Sequence, residues 1–109
     1  HFAVHSGPEA LRHSFNAKSS MKDLYETYLP AFKLCVDAGV EAVMCAYNRF
    51  RDQPCCGSNL LLGDILRDEF GFSGYVVTDC GAVSDFYTEG HHQVVETPAQ
   101  GWGWSFPGN

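Results

Sequence analysis

Positive charge is scarce in this sequence, and its scarcity excludes one class of partner. The 109 residues include seven lysines and arginines against thirteen aspartates and glutamates, which gives a net charge of −6 at neutral pH. Because binding to a phosphate backbone depends on clustered Lys and Arg, we expect no nucleic-acid partner. Long apolar runs are lacking as well. None approaches the roughly eighteen residues of a transmembrane helix, so we expect no membrane-spanning segment.

The sequence also lacks the cysteine spacings of a redox pair or a zinc site. Its five cysteines are an odd number, which argues against a closed disulfide framework within the chain. Cys55 and Cys56 are adjacent, an arrangement that suits neither a CxxC pair nor a zinc knuckle. We predict that Cys35, Cys45 and Cys80, which lie in apolar runs, are buried free thiols. Whether Cys56 forms a bridge is left open, because that depends on export of the protein.

What is present is the composition of a globular core. Hydrophobic residues make up 45% of the chain and charged residues 18%, which fits a folded domain and argues against disorder. The chain begins at His1 without an initiator Met or a signal-peptide pattern, and its first residues resemble the end of a strand. We therefore expect a piece of a larger protein. His91 and His92 have no partner at metal-ligand spacing, so we predict no metal site and no cofactor.

Strand and helix patterns alternate along the chain. The strand patterns cover residues 1–4, 41–47 and 75–78, and the helical patterns cover residues 20–38 and 58–70. Ser20 and Ser58 are predicted N-caps, and Pro30 predicts a kink or two helical pieces. A further helix is predicted from Gly81 onward. This order is typical of parallel α/β units, of which about three fit here, too few to close a barrel.

Polar and aromatic side chains follow the ends of the predicted strands. Asp79 follows the last strand, Tyr47 ends the middle one, and His1 belongs to the first. Because the carboxyl ends of parallel strands meet at one rim, we expect these side chains to converge there. Taken alone, Asp79 has a second explanation, since Asp at a strand-to-helix turn commonly caps the helix.

The order of these motifs resembles the N-terminal catalytic domain of glycoside hydrolase family three. The matching segments are HFAV at residues 1–4, GPE at 7–9, LRH at 11–13, FNA at 15–17, DLYETYLPAF at 23–32, VMCAYN at 43–48, LRDEFGFSG at 66–74 and VVTDC at 76–80. The match runs in register over about residues 1–99 and is most similar to the β-xylosidase and β-glucosidase branch. It implies a partial TIM-type (β/α)₈ barrel with parallel strands.

The resemblance also implies an activity and a set of site residues. It implies hydrolysis of terminal β-linked glucosyl or xylosyl residues with retention of configuration, and Asp79 matches the catalytic nucleophile. His1 matches the His of a Lys-His pair that binds sugar hydroxyls. Arg12 matches a substrate-binding Arg, Tyr47 matches an aromatic at the floor of the pocket, and Met44 belongs to the same motif.

Three further polar residues are weaker candidates. Glu9 is equally well explained as a surface residue of a Gly-Pro turn, and His13 as a residue that shapes its loop. Asp85 is rejected as the second carboxylate, because the family's acid/base is usually a Glu beyond this chain. We therefore expect the isolated chain to be inactive.

The last ten residues depart from the family pattern. Residues 1–99 are predicted to be the barrel fragment, and residues 100–109 an aberrant or disordered tail, because glycine, proline and tryptophan replace the expected helix. A frameshift or a truncated reading frame would produce such a tail. By resemblance, the parent protein is expected to be secreted or periplasmic and to bind an oligosaccharide or β-glycoside.

Two functions from other classes also fit parts of the sequence. A haloacid-dehalogenase-like phosphotransferase places an Asp after a hydrophobic strand, although it normally has a second Asp two residues later, where this chain has Gly81. A non-catalytic carbohydrate-binding or structural module derived from a glycosidase is the other alternative.

Overall fold

The computed structural model describes residues 1–92, so the predicted tail at residues 100–109 lies outside the described residues. The strands are β1 (Asn16–Ala17), β2 (Ala42–Cys45), β3 (Arg49–Phe50), β4 (Gln53–Pro54) and β5 (Tyr75–Thr78). The helical segments are the 3₁₀ turns Glu9–Leu11, Cys55–Gly57 and Ala82–Phe86, the α-helices α1 (Met21–Asp23) and α2 (Leu29–Asp37), and the π-helical segments Leu24–Tyr28 and Asn59–Glu69.

The centre of the fold is a parallel pair of strands. β2 and β5 pair from Ala42–Tyr75 to Cys45–Thr78. Phe2 forms a parallel bridge on the other side of β2, where its backbone N–H donates to the Met44 carbonyl at 2.9 Å. Three parallel segments with helical connections are therefore present, and the prediction of a partial (β/α) barrel is confirmed.

The predicted helix signals act as expected. The Ser20 hydroxyl accepts the N–H of the third residue after it at 3.0 Å, and Ser58 does the same at 3.1 Å. Pro30 lies in the first turn of α2. Because proline has no N–H and blocks a regular α-helical turn, the chain enters α2 through the wider π-helical segment Leu24–Tyr28.

The segment predicted as a loop between residues 48 and 57 contains a small hairpin. β3 and β4 are antiparallel, and Arg51 and Asp52 between them have φ values of 49° and 73°. Positive φ at both turn residues is the geometry of a type I′ hairpin turn, but Arg-Asp carries no sequence signal for it. The Asn16 side-chain oxygen accepts the Asp52 N–H at 2.9 Å, and this bond supports the parallel pairing of β1 with β3.

The cysteine prediction was partly wrong. Cys45 is not a free thiol, because it forms a disulfide with Cys56, and both residues are buried. Cys35 and Cys80 are free but exposed, while Cys55 is the buried free thiol. β2 and the 3₁₀ turn Cys55–Gly57 pack side by side with Cα atoms 5.1 Å apart at the bridge, and this tertiary contact is invisible in the sequence spacing.

The core lies between the parallel strands and the helical segment Asn59–Glu69. Leu61, Leu62, Ile65 and Leu66 from that segment are fully buried, together with Phe2, which bridges to β2. Among the described residues, none of the helices combines the length and apolar character needed to cross a bilayer.

Candidate active site

The three predicted strand ends meet at one rim, as the sequence predicted. The His1 Nε2–H donates to Asp79 Oδ2 at 2.5 Å. Asp79 also acts on the Tyr47 phenol, whose pKa it raises. The rings of His1 and Tyr47 lie 6.4 Å apart. The rim therefore presents one carboxylate between an imidazole and a phenol.

Asp79 is oriented by the turn that follows its strand. Its Oδ1 accepts the backbone N–H of Cys80 at 2.8 Å, and its side chain is 16% exposed. The alternative role as a helix cap was wrong. Gly81 holds the N-cap position of the 3₁₀ turn Ala82–Phe86, and its left-handed φ of 74° sets the tight turn there. Asp79 therefore accepts hydrogen bonds at the rim and leaves a face open to solvent.

Tyr47 interacts electrostatically with this carboxylate. Burial of the phenol raises the pKa of Tyr47 above its ordinary value, and the hydrogen bond and negative charge of Asp79 raise it further. The positive charge of Arg12 opposes this shift only in part. The phenol therefore stays protonated at neutral pH and keeps its O–H available as a donor.

His1 is supported by a group that the sequence reasoning missed. The His5 ring lies 4.0 Å from the His1 ring, and His5 Nδ1–H donates to Asn48 Oδ1 at 2.8 Å. Asn48 is fully buried and donates to the carbonyls of Val4 and Arg49, each at 2.8 Å. The short-range sequence pattern gave no signal for this group, since His5 and Asn48 lie 43 residues apart.

Arg12 and Met44 lie at the edges of this arrangement. Arg12 Nη1 is 3.2 Å from Glu9 Oε1, and both side chains are largely exposed. Met44 is half-buried and lines a cavity of about 190 Å³ together with His1 and Phe2. Neither residue is shown to contact Asp79, so their predicted roles in substrate binding stay predictions.

A second polar cluster adjoins the first. Asp85 is 3% exposed, and its Oδ2 accepts from His13 Nδ1–H at 2.9 Å while its Oδ1 accepts from His91 Nδ1–H at 2.6 Å. His91, predicted to have no partner at metal-ligand spacing, therefore lies beside two groups of that kind in the fold. The reason is that the 3₁₀ turn Ala82–Phe86 brings Asp85 against His13, which lies 72 residues away. Both oxygens of Asp85 are engaged by imidazoles, which is not the state of a general acid facing a sugar.

The same three side chains are chemically able to bind a metal ion. Their candidate ligand atoms lie within 4.8 Å of one another. Two imidazoles and one carboxylate form a typical ligand set for zinc. The N···O distances of 2.6 and 2.9 Å are, however, those of direct hydrogen bonds.

His92 lies beside this cluster and is held in its neutral form. It is 5% exposed, and neither ring nitrogen has a hydrogen-bond partner within residues 1–92. Burial lowers the pKa of His92 to about 4, helped by the positive charge of Arg49 and by His91. The nearby backbone of Tyr47 and His13 offsets only part of this lowering.

Residues 1–99 match the family model described as the glycosyl hydrolase family 3 N terminal domain. A xylan 1,4-beta-xylosidase from Xylanibacter ruminicola is 63% identical over 89 residues, which are 80% of this chain and 10% of that protein. A probable exo-1,4-beta-xylosidase from Neosartorya fischeri is 44% identical over 107 residues, which are 92% of this chain and 14% of that protein. The chain therefore spans about a tenth of the length of the curated relatives it matches.

Solved structures show the same similarity. A GH3 exo-beta-xylosidase in complex with a xylobiose aziridine activity-based probe has a TM-score of 0.86 and 32% identity. The match covers 94% of this chain and 14% of that one. A beta-glucosidase from Listeria innocua in complex with glucose has a TM-score of 0.85 and 31% identity, with 95% and 14% covered.

Proposed function

The chain belongs to glycosyl hydrolase family 3, and from this premise we propose that it supplies the nucleophile half of a β-glycosidase active site. The complete protein would hydrolyse terminal β-linked glycosyl residues with retention of configuration. The observation that carries the proposal is the convergence of His1, Tyr47 and the Cys80 N–H on the Asp79 carboxylate. The donors His1 Nε2–H and Cys80 N–H orient the carboxylate, as a nucleophile requires.

The chemistry follows from the position of this carboxylate at the strand end. An Asp79 oxygen attacks the anomeric carbon as the glycosidic bond breaks, and a general acid protonates the departing oxygen. Water then attacks the glycosyl–Asp79 ester, with the same general acid acting as base, and the ester bond breaks to return the carboxylate. His1 and Tyr47 hold Asp79 in place, and Arg12 is proposed to bind sugar hydroxyls on the open side.

The second carboxylate is proposed to come from outside this chain. A retaining site needs its two carboxyl groups about 5 Å apart. Asp85 does not fit this role, because both of its oxygens are hydrogen-bonded to imidazoles. Tyr75 and Val77 on β5 are 60% and 39% exposed, as expected for a strand that further strands would cover in a closed barrel. We accordingly propose that residues 1–99 are one piece of a barrel domain, with residues 100–109 outside it, and that the isolated chain is inactive.

The substrate class proposed first is the β-xyloside. The relatives at 63% and 44% identity are named xylosidases, while the solved structures include both xylosidases and glucosidases. Export of the complete protein is proposed on the Cys45–Cys56 disulfide, since such bonds persist in oxidising compartments. Family membership argues against phosphoryl transfer, and Gly81 supplies no second carboxylate.

A nucleophile variant tests this proposal in the full-length protein that contains the chain. Asp79→Gly should abolish hydrolysis of an aryl β-xyloside. Azide should restore turnover and give the α-glycosyl azide, because an external anion then replaces the missing carboxylate. The matched control is Asp64→Gly, an exposed carboxylate on the helical segment Asn59–Glu69, which should hydrolyse the substrate normally. Full activity of Asp79→Gly, or binding of xylosides without hydrolysis by the wild type, would contradict the proposal.

A further inference from the structure

The Asp85 cluster places a buried charge next to the candidate nucleophile site. Asp85 lies in the 3₁₀ turn that directly follows Asp79, and its side chain is 4% exposed. Removing a carboxylate from water is costly unless hydrogen bonds compensate for the lost hydration. His13 and His91 provide that compensation, one on each oxygen.

The cluster reaches the nucleophile through two ring contacts. The His13 ring stacks against the His91 ring with centroids 5.4 Å apart. The His13 ring also lies 4.0 Å from the Tyr47 ring. Tyr47 in turn lies with its ring 6.4 Å from that of His1, which donates to Asp79, and its own pKa is raised by Asp79. A continuous series of contacts therefore leads from the buried carboxylate Asp85 to the reacting carboxylate.

We propose that Asp85 is a positioning residue that acts through His13 on Tyr47. The inference rests on the proposed function, because it assigns Asp85 a part in orienting the nucleophile. Asp85 fixes the tautomer and the plane of His13, since the imidazole must donate its Nδ1–H to the carboxylate. His13 then forms the wall against which the Tyr47 ring packs, and the phenol is held with its hydroxyl on Asp79.

A metal ion at the same three side chains is the competing explanation. Two ligands of a tetrahedral zinc ion at about 2.0–2.1 Å from the metal lie roughly 3.3 Å apart. The observed Nδ1···O distances of 2.6 and 2.9 Å are shorter than this and match N–H···O hydrogen bonds. The geometry therefore favours hydrogen bonds between these side chains over a shared metal ion, and hydrogen bonds are what the positioning role requires.

The test measures covalent labelling of the full-length protein by a 2-deoxy-2-fluoro-β-xyloside with a good leaving group. We expect Asp85→Asn and His13→Ala to lower the maximal labelling rate about tenfold or more, because small displacements of reacting groups cost large factors in rate. Reagent affinity should change less than about twofold, since only the bond-forming step depends on this alignment. His13→Phe keeps a ring against Tyr47 and should recover most of the rate.

Controls separate positioning from folding and from the proposed function. Asp64→Asn removes an exposed carboxylate and should label at the wild-type rate. Thermal unfolding identifies a variant that fails to fold. If Asp85→Asn fails to fold, the labelling rates of His13→Ala and His13→Phe test the positioning role instead. Equal labelling rates for that pair would overturn the inference, as would a stoichiometric zinc ion in the wild type whose removal abolishes labelling. Failure of the wild type to label at Asp79 would instead overturn the proposed function.

Discussion

Replacement of Tyr47 by Phe should weaken catalysis through loss of a single oxygen atom. The substitution keeps the ring that packs against His13 and removes the hydroxyl that interacts with Asp79. His1 Nε2–H and the Cys80 N–H remain as donors to the carboxylate. The change therefore removes one polar partner of the carboxylate and leaves the shape of the site intact.

The size of the effect follows from the exposure of the two groups. A hydrogen bond to a charged group contributes about 1.5–3 kcal/mol. Tyr47 is half-buried and the Asp79 side chain is 16% exposed, so water replaces part of the lost bond. We therefore expect a loss in the lower half of that range, about 2 kcal/mol, which corresponds to roughly 30-fold in kcat/KM.

The chain offers a matched control for this substitution. The Tyr25 hydroxyl donates to both oxygens of Glu69 at 2.7 and 2.8 Å, so it too binds a carboxylate. It lies on the helical part of the fold, outside the Asp79 hydrogen-bond group. Steady-state kinetics of aryl β-xyloside hydrolysis should therefore show no change in kcat/KM for Tyr25→Phe. A Tyr47→Phe enzyme with more than half of the wild-type kcat/KM, or an equal loss in both variants, would refute the reasoning.

Three further predictions concern stability. Reduction of the Cys45–Cys56 bond should lower the free energy of unfolding by about 3 kcal/mol, the loop-closure value for a separation of 11 residues. In the same melting experiment, the stability of a Cys56→Ala variant should not change when reductant is added. Gly74→Ala should unfold at a clearly lower temperature, because an added Cβ would overlap a backbone carbonyl. Gly63→Ala, on a helix and with no described atom near its Cβ position, should instead gain about 0.5–1 kcal/mol. In urea unfolding, the free energy of unfolding should fall by up to about 3 kcal/mol as the pH drops from about 6.5 through about 4. The cause is that His92 binds a proton in the unfolded chain but stays neutral when buried. A His92→Leu variant with the same pH slope would contradict this.

Much of the fold follows from local sequence signals. The Ser20 and Ser58 caps, the position of Pro30 and the two central strands depend on short-range chemistry, and the structure confirms them. The meeting of His1, Tyr47 and Asp79 followed from one geometric rule, that parallel strands end on one side. These features were predictable because each depends on only a few neighbouring residues or on strand direction.

The features that escaped prediction depend on contacts between distant residues. The Cys45–Cys56 bridge and the His13–Asp85–His91 cluster form only when the folded turns pack together. The β3–β4 hairpin has strands of two residues, too short for an alternating pattern. Nothing in the spacing of these residues indicates which ones will meet.

The central claim is that Asp79 is the residue that becomes glycosylated. Its most direct test is to trap the full-length protein with a 2-deoxy-2-fluoro-β-xyloside, digest it and sequence the labelled peptide by mass spectrometry. The account predicts one label per protein on Asp79, and no label in an Asp79→Asn variant. A label on any other residue, or unchanged labelling of the variant, would contradict it.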